Sequence, residues 1–101
     1  MNGKRTDPRE LEPPLLALER EESLEVLRLW AASNQPQDFT LRTMWADPGA
    51  WGLALVDIAR HAARAYAKSG QFEEREALDR IRQLFDAEWE NPTDEVGLAE
   101  L

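Results

Sequence analysis

The chain's 101 residues are the size of one domain, and a 43% hydrophobic content is ordinary for a protein with a packed core. Twelve Lys and Arg against twenty Asp and Glu leave a net charge of −8, which repels phosphate backbones and anionic lipid and so argues against nucleic-acid and membrane partners. The lack of cysteine excludes disulfides, thiolate zinc sites and cysteine nucleophiles and fits a cytoplasmic setting, and no stretch approaches the ~18 apolar residues of a membrane span.

Residues 1–14 mix charges with Pro8, Pro13 and Pro14 and carry almost no apolar pattern, which reads as a flexible or extended arm. Leu15, Leu16 and Leu18 can anchor its end. From Ser23, a residue able to cap, Leu24, Val26, Leu27, Trp30 and Ala31 fall on one side of a helix, with Glu22, Glu25 and Arg28 turned elsewhere. This spacing predicts a first helix from Glu22 to Ala32, with Leu29 off its apolar face. Ser33-Asn34-Gln35-Pro36 would end it, because the residue before a proline avoids helical geometry.

Between Asp38 and Met44, Phe39, Leu41 and Thr43 alternate with Thr40 and Arg42 in a run rich in β-formers, which predicts one short strand. A single strand cannot satisfy its own backbone groups. Its partner is either the Leu15–Leu18 segment or the same strand of another subunit. An antiparallel pairing of Phe39, Leu41 and Thr43 across a twofold axis is the preferred expectation.

Asp47 is a good N-cap and Pro48 suits the first helical position, so a second helix should start there and run to about Lys68 or Ser69, with Gly70 as its left-handed stop. Trp51, Leu55, Ile58, Ala62 and Ala65 line one stripe of it, flanked by Val56, Ala59, Ala63 and Tyr66. The opposite side carries Asp57, Arg60, His61, Arg64 and Lys68. A third helix is predicted from Glu73 to Glu90, where Leu78, Ile81, Leu84, Phe85 and Trp89 recur at spacings of three and four and Glu73, Glu74 and Glu76 occupy the electropositive first turn. Asn91-Pro92 ends it, leaving Thr93 to Leu101 as an acidic tail. The two long helices differ in sign, with seven acids and three bases in Gln71–Glu90 against one acid and three bases in Pro48–Lys68.

The chain has a single histidine, His61, four residues after Asp57, so that on a helix the carboxylate can accept from the imidazole. That pair resembles the base half of a catalytic site, yet no serine can be placed beside it from sequence, and a solvated helix face is the plainer reading. One histidine without cysteine rules out the common zinc spacings, and Glu73, Glu74, Glu76 and Asp79 read as helix-start residues and partners of Arg80 and Arg82. No metal or cofactor is expected. The two long helices joined through Gly70 imitate a helix-turn-helix, but a recognition helix opening Glu73-Glu74-Arg75-Glu76 would bring carboxylates to phosphates. Trp30, Trp51 and Trp89 lie on the apolar faces of their predicted helices and read as core, whereas Trp45, between strand and cap, is free to cover a strand edge, line a groove or enter a subunit contact.

The runs Asp47-Pro48-Gly49-Ala50-Trp51-Gly52, Ala59-Arg60-His61 and Leu84-Phe85-Asp86-Ala87-Glu88-Trp89-Glu90-Asn91-Pro92-Thr93-Asp94 resemble a small bacterial family of about a hundred residues classed as a domain of unknown function. The resemblance covers roughly Glu22 to Asp94 and brings no activity, cofactor or catalytic residue with it.

The expected architecture is α+β and mainly helical: arm 1–14, a single domain over 15–92 running helix, strand and two longer helices, and a tail over 93–101. The expected function is a non-enzymatic cytoplasmic interaction domain that forms a homodimer through its strand. It would offer Trp45, Asp57, Arg60, His61, Arg64 and Lys68 to a protein partner. The rival expectation is a small-ligand or enzymatic site around Asp57 and His61, roofed by Trp45.

Overall fold

A computed structural model of the chain describes residue 7 and residues 9–93. Most of the expected tail and the first residues of the expected arm lie outside the described residues. The fold is α+β, in the order α1 (Leu15–Glu19), β1 (Leu27–Trp30), β2 (Asp38–Leu41), α2 (Gly49–Lys68) and α3 (Glu74–Glu90). The chain divides into two compact units, one ending at Ala46 and the other starting at Asp47.

In the first unit a two-residue period governs the segment that was expected to form a helix over Glu22–Ala32. β1 pairs antiparallel with β2 in the register Leu27↔Leu41, Arg28↔Thr40, Leu29↔Phe39 and Trp30↔Asp38. The helical expectation is thereby corrected, and the reason lies in the needs of β2. Leu24, Leu27 and Trp30 fit a helical period, but Leu27 and Leu29 also alternate with Arg28 and Trp30, and only the extended form supplies the backbone partners that β2 requires. Leu29, which no helical face could accommodate, sits on the same side of the hairpin as Leu27, Phe39 and Leu41. Ser33–Pro36 is the hairpin connection instead of a helix stop. Asn34 takes the left-handed φ of 60°, a conformation that asparagine tolerates better than most residues, and Gln35 N–H donates to the Ala32 carbonyl at 3.3 Å.

The Leu15–Leu18 anchor is a short helix. Ala17 N–H donates to the carbonyl of Pro14, Arg20 N–H closes the turn on Leu16, and Ser23 Oγ donates to the Arg20 carbonyl at 2.8 Å. The described part of the arm lies against the hairpin: Arg9 stands 5.9 Å from the Trp30 ring centroid, and Glu10 pairs with Arg28 Nη1 at 2.9 Å.

The second unit is an αα-hairpin that follows the expected boundaries. The Asp47 carboxylate accepts from Gly49 N–H at 2.8 Å, meeting one of the donors that a helix start leaves unpaired. Gly70, at φ 82°, turns the chain after α2. At α3, Glu73 N–H donates to the Glu76 carboxylate at 3.2 Å, the reach-back of a capping box. Along α3, Arg75 pairs with Asp79 and Arg82 with Asp86, each four residues apart. Tyr66 and Phe72 meet edge to face across the turn, with ring centroids 5.7 Å apart.

The most buried residues of the α2–α3 pair are small, with Leu78 and Ile81 of α3 half-buried. Ala63 is fully buried and Ala77 is 5% exposed, and they are the buried hydrophobic residues among those described. Replacing Ala63 by Leu should therefore force the helices apart at a cost of about 1–3 kcal/mol. Replacing Gly70 by Ala, where a Cβ meets no atom but the φ is positive, should cost about 1–2 kcal/mol. Thermal unfolding followed by helical circular dichroism checks both, with lowered midpoints expected.

Candidate functional site

Three faces can be distinguished on α2 at 100° per residue. The first, centred on Ala59, Ala63 and Ala67, is the one from which side chains become buried or half-buried beside α3. The second holds Trp51, Leu55, Ile58 and Ala62 and lies roughly 110° around the helix from Ala63. Trp51 is half-buried, whereas Leu55 and Ile58 stay open at 40% and 49% exposure. The third is the charged stripe of Asp57, Arg60, His61, Arg64 and Lys68, all of them exposed. The wide apolar arc seen in the sequence is real, but α3 takes only its small-residue flank.

Within the stripe, His61 is held by its own helix. Its Nδ1 lies 2.8 Å from the carbonyl oxygen of Asp57, so a neutral ring donates from Nδ1 and keeps Nε2 as its acceptor. The partner is the Asp57 backbone and not the carboxylate that sequence spacing pointed to. Arg64 Nε is 3.5 Å from Glu74 Oε2, which ties the stripe to the first turn of α3 and answers the opposite charge of the two helices. Trp45 is part of the first unit, whereas Asp57 and His61 stand in the second. Among the described residues, no group of three or more His, Asp or Glu converges as a metal site would require.

The hairpin unit has a groove of about 580 Å³, lined by Arg9, Glu10, Leu11, Leu27, Leu29 and Trp30 among others. Its charges are largely paired. Arg28 is gripped by the Glu25 carboxylate at 3.1 and 3.2 Å and by Glu10, which raise its pKa above the ordinary arginine value. One face of the hairpin presents Leu27, Leu29, Phe39 and Leu41, with Leu29 and Phe39 about half exposed. Of the expected dimer strand, Phe39 and Leu41 lie in β2 and Thr43 lies just beyond its end.

Sequence reasoning missed this apolar hairpin face, because half of it was assigned to a helix. The signal was present in Leu29, the residue the helical pattern could not place. No helix among the described residues is long and apolar enough to cross a membrane.

A family model, described as a domain of unknown function, matches residues 10–93. The chain belongs to the DUF5076 family. Family membership starts upstream of the resembling runs and so includes Glu10, β1 and β2 as well as both long helices. The DUF5076 chain is similar to one from the photosynthetic bacterium Rhodopseudomonas palustrus CGA009, whose structure is described as that of a "putative pyruvate dehydrogenase". The two are 42% identical over 95% of this chain and 94% of that one, with a TM-score of 0.66. No curated protein matches the chain.

Replacing His61 by Ala should remove one local hydrogen bond on an exposed face and change stability by no more than about 0.5 kcal/mol. Denaturant unfolding measures this; a loss of several kcal/mol would mean that the ring has partners beyond its own helix.

Proposed function

We propose that this DUF5076 chain is a non-enzymatic, self-associating interaction domain of the cytoplasm, whose charged α2 stripe is turned toward a protein partner. The observation that carries the reading is the disposition of its apolar side chains. Ala63 and Ala77 are buried, while Leu55, Ile58, Leu84 and Phe85 are 40–53% exposed and Trp89 is 71% exposed. Phe85 and Trp89 stack with centroids 5.5 Å apart, forming an aromatic surface on α3. Covering a half-exposed Leu or Ile contributes about 1 kcal/mol, and several such side chains left open on α2 and α3 favour contact with another chain. A second copy offers the same surface, which favours a symmetric pair.

The stripe supports the second half of the reading. Arg60, Arg64 and Lys68 project from one side of a helix in a protein of net charge −8, so they form a local basic feature able to meet an acidic surface.

The description of the Rhodopseudomonas neighbour as a "putative pyruvate dehydrogenase" is not carried over to this chain. His61 sits on an exposed helix face with Nδ1 engaged by the backbone, and the reading as an interaction domain draws on the apolar faces instead. Sedimentation across a concentration series should show a dimer that dissociates on dilution. A chain that remains monomeric at the highest soluble concentration overturns self-association. Following the His61 ring by NMR during addition of pyruvate should show no saturable change; a saturable one would replace this reading with a ligand-binding site.

A further inference from the structure

We infer that two copies of this chain join along the outer edge of β2, antiparallel about a twofold axis at Thr40, to make one four-stranded sheet. The inference rests on the self-association reading above and names the joint. Its starting point is the hydrogen-bond phase of the hairpin. Arg42 N–H donates to the Val26 carbonyl at 2.9 Å, so Arg42 and Val26 form a hydrogen-bonded pair in the same register as the strands. Bonded and non-bonded pairs alternate in an antiparallel ladder. Thr40 therefore bonds inward to Arg28, while Phe39 and Leu41 turn their N–H and C=O groups away from β1. These are the groups that a second strand would meet.

The side chains then select the partner. In an antiparallel pairing of β2 with itself, only residues with outward backbone groups can exchange bonds, which pairs Phe39 with Leu41, or each with its own copy. Pairing Phe39 with the second copy's Leu41 sets Thr40 against Thr40 and Asp38 against Arg42. Every cross-strand pair is then favourable: apolar on one face, hydroxyl with hydroxyl and acid with base on the other. Arg42 donates from Nε to the Glu25 carbonyl at 2.9 Å, which orients the guanidinium and leaves its Nη groups for a carboxylate. The two alternative registers set Asp38 opposite Thr40 or Arg42 opposite Thr40 and form neither ion pair. Charge complementarity thus points to a second copy of the same strand. The joined sheet would also carry Leu27, Leu29, Phe39 and Leu41 of both copies on one continuous apolar face.

Leu41→Pro removes an outward donor without touching a bond of the hairpin itself, and proline is tolerated on an edge strand. In the full chain it should weaken dimerisation at least tenfold by sedimentation, while Leu41→Ala, which keeps the N–H, should weaken it less. Amide exchange should remain slow at Thr40 and Arg42 in Leu41→Pro, showing that the hairpin persists. In the unsubstituted dimer the Phe39 and Leu41 amides should be protected and lose protection on dilution. Asp38→Arg and Arg42→Asp should each weaken the homodimer, and mixing the two variants should restore a 1:1 dimer, since each supplies the charge the other lacks. A dimer indifferent to all of these substitutions, with Phe39 and Leu41 amides exchanging freely, overturns the edge joint and leaves self-association standing. A monomeric wild type removes both.

Discussion

The packing of α2 with α3, which buries Ala63 and Ala77, shapes the rest of the second unit. Small side chains at a crossing let two backbones come near, but they bury little area themselves. The helix pair is held by this contact, with Leu78 and Ile81 half-buried beside it, by the cap at Asp47, by the left-handed turn at Gly70 and by the Arg64–Glu74 pair. Surface ion pairs of this exposure contribute little to stability. The larger side chains that would ordinarily form a core, Leu55, Ile58, Leu84 and Phe85, are displaced to the flanks of the contact and remain accessible.

The hairpin unit has the same character in a different geometry. A two-stranded sheet has two faces and two outer edges, and too little area to be stable by itself. On one face Arg9 and Glu10 reach Trp30 and Arg28, so that part of what reads as an arm completes the hairpin. Among the described residues no third strand pairs with the outer edge of β2, and Leu29 and Phe39 of the apolar face are about half exposed. Both units therefore pair their elements first with the nearest neighbour in sequence and leave large apolar side chains partly exposed.

Sequence was most informative where one period stood alone and its ends were marked. α2 and α3 have long apolar repeats and marked boundaries: Asp47 as cap, Gly70 as stop, and the acids of the first turn of α3, although the reach of Glu76 back to the Glu73 N–H came only with the structure. It was least informative where two periods overlapped. Val26, Leu27 and Trp30 satisfy a helix, and Leu27 and Leu29 can be read along a strand; the choice is made by β2, whose register partners lie eight to fourteen residues away, from Trp30↔Asp38 to Leu27↔Leu41, and outside a local window. The position of His61 on α2 was legible, but its bond to the Asp57 carbonyl instead of the carboxylate was not, because spacing of four residues brings both acceptors within reach.

The two pairings that organise the chain, β1 with β2 and α2 with α3, each join consecutive elements through a short connection. Contacts so local in sequence close quickly, on the microsecond scale typical of isolated hairpins and helix pairs. Speed of this kind shifts the kinetic burden. On the self-association proposed above, each piece would form early with its apolar side still open, the slow event in the life of a new chain would be encounter with a second copy, and persistence would depend on how many copies are made as much as on how well each one folds.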